Sequence, residues 1–131
     1  MNFYGWSTAT TRFNGYPTWD AVRTFYGEVL GLEEKQPQRS LAHLHLVWFA
    51  AGEGEMELHF LPGPTRPDET DHRHICLVVE DLKAYRHRLT EAGGTILPAE
   101  PIPHQPRFFC LDLIGNRLEF TTIWGDYRVA P

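Results

Sequence analysis

The chain carries an internal duplication, which restricts the folds open to it more than any other feature. At a spacing of about 60 residues, the run Glu57-Leu-His-Phe is matched by Arg117-Leu-Glu-Phe. In both halves the patterns predict a strand, a helix and then three strands, so that each half is a βαβββ unit. The sequence therefore predicts an α+β fold of two tandem modules whose sheets form a shared cleft.

Apolar spacing and turn residues set the boundaries of the expected elements. In the first half, Trp19, Val22, Phe25 and Tyr26 recur at three- and four-residue intervals, which predicts a helix after the first strand. The expected strands cover residues 6–14, 41–50, 56–61, 74–79, 95–97, 107–111 and 117–121, and the helices cover 18–30 and the segment capped by Asp81. The modules, 1–61 and 72–131, are joined by a Pro-rich linker and form one domain.

Composition excludes several classes of partner. The net charge of −5 argues against a nucleic acid or an anionic membrane, and no apolar run reaches the roughly 18 residues of a membrane span. Residues 1–6 lack the features of a signal peptide, and Cys76 and Cys110 suit reduced thiols. We expect a cytoplasmic protein whose partner is a small molecule.

The hairpin of residues 115–121 places a carboxylate where it needs a partner. Gly115 and Asn116 form a turn, and the alternation after them puts Arg117 and Glu119 on one face of a strand, opposite Leu118 and Phe120. A carboxylate in such a strand is costly unless it is paired. Its partner is a bound metal or a cation such as Arg107 or Arg117.

Three stretches together resemble one superfamily. They are residues 25–32 (FYGEVLGL), 74–82 (HICLVVEDL) and 115–120 (GNRLEF), and they are similar to the vicinal oxygen chelate superfamily. Its members include glyoxalase I, extradiol dioxygenases, fosfomycin-resistance enzymes and bleomycin-resistance proteins. The resemblance covers residues 19–120 and implies metal ligands on the first and last strands of each module.

Carried onto this chain, the resemblance implies that His59, His74 and Glu119 hold a metal. Glu57 shares the strand face of His59 and is an alternative or extra ligand. The fourth family position lies on the first strand, but residues 1–19 contain no His, Asp, Glu or Cys. The implied site is therefore two histidines and one carboxylate with open positions, an arrangement that non-haem iron oxygenases also use.

The implied function is that of a divalent-metal-dependent enzyme, a lyase, isomerase or dioxygenase, acting on a small oxygen-chelating molecule. Glu119 would have a catalytic as well as a ligand role, and the ion would be zinc, iron, manganese or nickel. The alternative is a metal-free protein that sequesters a small molecule, as bleomycin-resistance proteins do. The resemblance also implies a homodimer, with the cleft formed within one chain or between exchanged modules.

Other histidines and one cysteine give weaker indications. His104 lies in a Pro-rich loop and is a candidate general base if that loop reaches the cleft. His43 and His45 alternate onto one face of the predicted strand 41–50, where solvent-facing or core-edge positions are favoured over metal binding. Cys76 is expected on the same face as His74, and we interpret it as a packing residue.

Overall fold

The computed structural model describes residues 2–3, 18–52, 56–61, 72–126 and 128. The strands are β1 (Asn2–Phe3), β2 (Glu34–Lys35), β3 (Val47–Ala50), β4 (Glu57–Phe60), β5 (His74–Val78), β6 (Thr95–Leu97), β7 (Arg107–Leu111) and β8 (Arg117–Thr121). The helices are α1 (Thr18–Val22), which continues as a π-helix (Arg23–Val29), a 3₁₀ helix (Arg39–Leu44) and α2 (Leu82–Glu91).

The strands form two open sheets, so the predicted α+β fold class is confirmed. The N-terminal sheet has the order β2-β3-β4 and is antiparallel. The C-terminal sheet has the order β1-β5-β8-β7-β6, in which β5 and β8 are parallel and the other pairs are antiparallel. The parallel pair requires a long connection, which α2 supplies together with β6 and β7.

Helix α1 and its π-helical continuation cover one face of the N-terminal sheet. The predicted apolar stripe is buried, with Phe25 and Tyr26 fully inaccessible. The Tyr26 ring lies 4.5 Å from that of Phe60 on β4. The wider turn is seen in the bond from Leu30 N–H to the Phe25 carbonyl, five residues back. The helix ends next to Gly31, whose φ of 71° is the left-handed conformation that glycine commonly adopts after a helix.

Helix α2 covers the C-terminal sheet in the same way. Asp81 caps it by accepting a hydrogen bond from Ala84 N–H at 3.0 Å, as predicted. Tyr85 stacks on Phe120 of β8 at 6.0 Å, and Leu89 is fully buried. Residues from both halves join in one hydrophobic core. Each sheet thus keeps one face away from its helix.

Three sequence expectations fail, and two others lie outside the described residues. The strand predicted at 41–50 begins only at Val47, because a 3₁₀ helix precedes it. The predicted shared strand face of His43 and His45 is therefore wrong: His43 lies in the 3₁₀ helix and His45 follows it with φ 52°. Between the first helix and residue 41 no strand was delimited, although each module was expected to have three strands after its helix; β2 lies in that segment. The strand predicted at 6–14 and the linker 62–71 lie outside the described residues.

Within the described part of the chain, no helix has the length and apolar character needed to cross a membrane.

Candidate active site

Three strands of the C-terminal sheet bring predicted site residues onto one side. In the parallel pair, His74 lies beside Arg117 and Cys76 beside Glu119, while Phe109 of β7 lies opposite Glu119. Residues paired across a sheet point to the same side. We call this side the polar face; its members are His74, Cys76, Arg107, Phe109, Arg117 and Glu119.

The opposite side of the same strands fixes the orientation of the polar face. Leu118 and Phe120 are buried, as is Phe108 on β7. Phe108 and Phe120 stack at 5.4 Å. Because Leu118 and Phe120 of β8 pack in the core, the alternation of the strand places Glu119 on the opposite side, the polar face.

The Glu119 carboxylate is nearly inaccessible, with 7 % of its side chain exposed, and both of its oxygens are engaged. Oε2 lies 3.0 Å from His74 Nε2, and Oε1 accepts a hydrogen bond from Arg107 Nη1 at 3.2 Å. The carboxylate is thus paired, as its burial demands. The arginine partner considered from the sequence is Arg107, and the same carboxylate contacts the predicted ligand His74.

The His74 imidazole is oriented by its backbone neighbour. Its Nδ1 lies 2.7 Å from the His72 carbonyl oxygen, which can only accept, so Nδ1 carries a hydrogen. Nε2 then faces Glu119. The contact is favourable if Nε2 is also protonated or if a cation is shared with the carboxylate. Metal-binding histidines are commonly oriented in this way, with one ring nitrogen donating to a carbonyl oxygen and the other left for the ion.

The N-terminal sheet carries the other predicted ligands on its side away from α1. His59 Nε2 lies 2.8 Å from Glu57 Oε2, so the two alternatives contact each other. The His59 ring stacks on Trp48, its register partner, with centroids 3.9 Å apart and planes within 4°. Trp48 Nε1 is buried and has no hydrogen-bond partner among the residues that the structure describes. The His59 and Glu57 pair is thus held in place by the stacking of His59 on the Trp48 ring.

The predicted donors therefore form two pairs. His74 contacts Glu119, and His59 contacts Glu57. Among the described residues, no group of three or more His, Cys, Asp or Glu side chains is placed to hold a metal. Each pair has suitable donor chemistry for a divalent ion, but His59, His74 and Glu119 are not assembled as one group within the described part of one chain.

The thiols are poorly suited to nucleophilic chemistry. Burial raises the pKa of Cys76 to about 11, and the nearby Glu119 adds to the effect. Burial also raises the pKa of Cys110, to about 12, with a contribution from Asp112. Both thiols stay protonated near neutral pH. The interpretation of Cys76 as a packing residue agrees with this environment.

His104 contacts a different part of the chain from the polar face. It has φ 60° and is exposed, and its carbonyl accepts a hydrogen bond from Trp124 N–H at 2.8 Å. Its side chain lies beside Gly125. None of its described contacts reaches His74 or Glu119, and the role of general base stays a prediction.

The basic and aromatic members of the site were less evident from the sequence. Arg107 was only an alternative partner of Glu119, and no site role was predicted for Trp48 or Phe109. The available signal was alternation: Arg107 and Phe109 share a face of β7 that opposes Glu119. Only the register shows that this is the face of the predicted ligands.

Comparisons with known proteins agree with this architecture. The family model of the glyoxalase/bleomycin resistance protein/dioxygenase superfamily matches residues 17–120. A comparison with curated protein sequences found no match.

Solved structures of that fold superpose on most of the chain. The fosfomycin resistance protein FosX from Mesorhizobium loti has a TM-score of 0.68 at 18 % identity, covering 96 % of this chain and 98 % of its own. A glyoxalase/dioxygenase from Nostoc punctiforme has a TM-score of 0.68 at 19 % identity, covering 89 % and 90 %. Lactoylglutathione lyase from Agrobacterium tumefaciens has a TM-score of 0.58 at 19 % identity, covering 88 % and 92 %.

At these identities the structural likeness shows the fold alone, whereas the family match extends over most of the chain. The chain belongs to the glyoxalase/bleomycin resistance protein/dioxygenase superfamily.

Proposed function

We propose that this protein is a divalent-metal-dependent enzyme acting on a small oxygen-chelating molecule, as a lyase, isomerase or dioxygenase. His74 and Glu119 would hold the ion on the polar face, and His59 would supply a third ligand, with Glu57 as an alternative or extra one. The observation that carries the proposal is the oriented contact between His74 Nε2 and Glu119 Oε2.

The geometry of that contact suits two ligands of one ion. A metal holds nitrogen and oxygen ligands at about 2.0–2.2 Å, so two neighbouring ligands near a right angle stand about 3 Å apart. The contact measures 3.0 Å. The bond from His74 Nδ1 to the His72 carbonyl keeps the Nε2 lone pair directed at the same point.

Arg107 is compatible with a ligand role for Glu119. It donates to Oε1, and its other donors are held by the Glu100 carbonyl at 3.0 and 3.1 Å. Oε2 is left for a monodentate contact, and the guanidinium fixes the carboxylate plane. Zinc, iron, manganese and nickel all accept such donors.

A bound ion would supply Lewis-acid stabilisation of negative charge on a chelating substrate. The chain's own residues would prepare the cleft for that charge. Arg107 and His74 hold Glu119 in place, and Cys76 keeps its proton because its pKa is about 11. In the metal-free protein the thiol is therefore not an anionic donor at neutral pH.

The third ligand would come from a second copy of the chain. The two donor pairs lie on different sheets, and no described group of three unites them within one chain. In a two-fold dimer, the N-terminal sheet of one copy can face the C-terminal sheet of the other, which forms two equivalent clefts. The predicted homodimer would then be required for metal binding.

Mixing two defective variants tests this arrangement. His74→Ala removes a donor from the C-terminal sheet, and the double variant Glu57→Gln/His59→Ala removes those of the N-terminal sheet. We expect each variant alone to bind little metal. After unfolding and refolding together in equal amounts, half of the dimers are mixed and carry one intact cleft, which gives about one-quarter of an ion per chain.

Matched variants on α2 control for the loss of surface ligands. His87 and Glu91 form an exposed pair at 3.5 Å, so His87→Ala should leave the metal content unchanged. No recovery of binding in the mixture would contradict a cleft shared between chains. Equal metal content in His74→Ala and His87→Ala would contradict the ligand role itself.

A metal-free sequestering protein is the second candidate, and two observations favour it. Arg107 already neutralises Glu119, and the stacked Trp48 and His59 rings form a surface suited to a planar ligand. In that case chelator treatment would leave small-molecule binding unaffected. Fosfomycin and lactoylglutathione are reasonable first ligands, since proteins named for them share the fold.

A further inference from the structure

Arg117 is a guanidinium on the polar face that no described carboxylate neutralises. It is the first residue of β8 and lies beside His74 of β5. Its Nε is buried and has no hydrogen-bond partner within the described ranges. Among the described residues, no carboxylate forms an ion pair with it. A buried unsatisfied donor is destabilising, and more so when it is charged, so this position is unfavourable unless an acceptor binds.

Several other arginines in the part of the chain that the structure describes have partners within the fold. Arg107 donates to Glu119 and to the Glu100 carbonyl. Arg23 pairs with Glu34, and Arg128 with Asp126. Arg88 donates to the Val29 carbonyl. Arg86 is exposed on α2, where water can solvate it, and its guanidinium carbon lies 5.7 Å from the centre of the Phe108 ring. Arg117 combines a buried donor with the position of a ligand-binding residue.

The surroundings of Arg117 hold it in place without neutralising it. Its guanidinium carbon lies 5.3 Å from the centre of the Phe109 ring, and that of Arg107 lies 5.4 Å from the same centre. The His74 ring meets the edge of Phe109 at 4.9 Å. An aromatic ring offers a guanidinium a cation–π contact but no hydrogen-bond acceptor.

The charge balance of the polar face favours an anion. Two guanidiniums face one carboxylate, Glu119, whose oxygens are already engaged by Arg107 and His74. The face is therefore locally positive although the chain carries a net charge of −5. A localised positive site on an acidic protein attracts small anions selectively.

We propose that Arg117 binds an oxyanion group of the small-molecule ligand, a carboxylate, phosphonate or phosphate, next to the His74–Glu119 pair. A guanidinium recognises such groups by paired N–H donors. The inference deepens the proposed function, because it gives the substrate of the same cleft an anionic group. The subsite itself requires no metal, so it can be tested separately.

The test uses the full-length protein after treatment with a chelator and dialysis. Acetate, methylphosphonate and inorganic phosphate are titrated in turn, and the Nε–H resonance of Arg117, assigned by its loss in Arg117→Lys, is followed by NMR. We expect at least one of these probes to shift the resonance saturably, with a Kd on the order of millimolar, as suits a ligand of few atoms. The three probes distinguish planar from tetrahedral oxyanions.

Two variants decide the role of the side chain, with the dissociation constant measured by calorimetry. Arg117→Gln should weaken binding about tenfold or more. Arg86→Gln makes the same change of charge on α2 and should leave binding unchanged. If Arg117→Gln does not fold, Arg117→Lys serves in its place and should weaken binding several-fold, because it loses the paired donors.

Binding by the variant at wild-type strength, or no saturable binding of any of the three probes, would overturn the inference. A protein that binds the anion but no metal would keep the Arg117 subsite and reject the metal-dependent function. A protein that binds a metal but no anion would keep the metal-dependent function and reject the Arg117 subsite.

Discussion

The buried bond between Tyr26 and Asp112 joins α1 to the hairpin that carries Glu119. The Tyr26 hydroxyl donates to Asp112 Oδ2 at 2.8 Å, and the carboxylate also accepts from Ile114 N–H, Asn116 N–H and Asn116 Nδ2 at 2.8–2.9 Å. Replacing Tyr26 by Phe removes one of four donors from a buried carboxylate. The bond connects residues 86 positions apart, so its loss is felt between the two halves.

The magnitude follows from the charge and the burial of the pair. A hydrogen bond to a charged group contributes about 1.5–3 kcal/mol, and Phe leaves no unsatisfied donor of its own. We therefore expect Tyr26→Phe to lower the free energy of unfolding by about 2 kcal/mol, or the melting temperature by roughly 6–10 °C for a domain of this size. Urea unfolding followed by tryptophan fluorescence measures the change.

Tyr85→Phe is the matched control. Tyr85 stacks on Phe120 but its hydroxyl has no described hydrogen-bond partner, so its loss should cost less than about 0.5 kcal/mol. Equal destabilisation by the two changes would refute the argument that the Asp112 contact joins the halves.

Three further predictions concern burial and packing. Burial raises the pKa of the Asp112 carboxyl group. Its stabilising contribution is therefore complete below the unfolded-state pKa of about 3.9 and is lost as pH rises through the folded-state pKa. The stability of wild type relative to Asp112→Asn should fall between these two pKa values, and a pH-independent difference would contradict the prediction. Cys76, with a pKa of about 11, should react with iodoacetamide at pH 8 about a hundredfold more slowly than a free cysteine, as measured by mass spectrometry. Gly94→Ala would place a Cβ 3.0 Å from Cys110 Sγ and should lower stability by about 1–3 kcal/mol, whereas Gly27→Ala, 3.4 Å from a ring, should cost less in the same urea assay.

The sequence predicted elements well where one period dominated. In β8, strict alternation separated Glu119 from Leu118 and Phe120, and the structure has the same strand limits, Arg117–Thr121. Asp81 capped α2 as expected because an N-cap acts on its own next turn. Such local signals need no knowledge of the rest of the chain.

The segment before β3 shows where local pattern failed. Histidine and leucine alternate from His43 to Leu46, which suggested a strand. Leu41 and Leu44 are also three residues apart, and a 3₁₀ helix places such residues on one side. The structure has the 3₁₀ helix, and the left-handed conformation of His45 after it redirects the chain towards β3. Alternation over so few residues could not distinguish the two structures.

The site depended on long-range register, which sequence alone does not give. The pairing of Arg107 with Glu119 requires β7 and β8 to align with Phe109 opposite Glu119. A shift of one residue would reverse the faces. The separation of the His59 and His74 pairs is likewise a consequence of how the sheets are arranged, and no spacing in the sequence encodes it.

Metal affinity of the Glu119→Gln variant tests the central claim most directly. Chelator-treated wild-type protein, Glu119→Gln and the surface control Glu91→Gln are titrated with zinc, iron(II), manganese(II) and nickel(II). The proposed site predicts that wild type binds at least one of these ions more tightly than millimolar. It also predicts that Glu119→Gln weakens that binding tenfold or more while Glu91→Gln leaves it unchanged. Failure of every ion to bind below millimolar concentration, or equal affinities in wild type and Glu119→Gln, would contradict it.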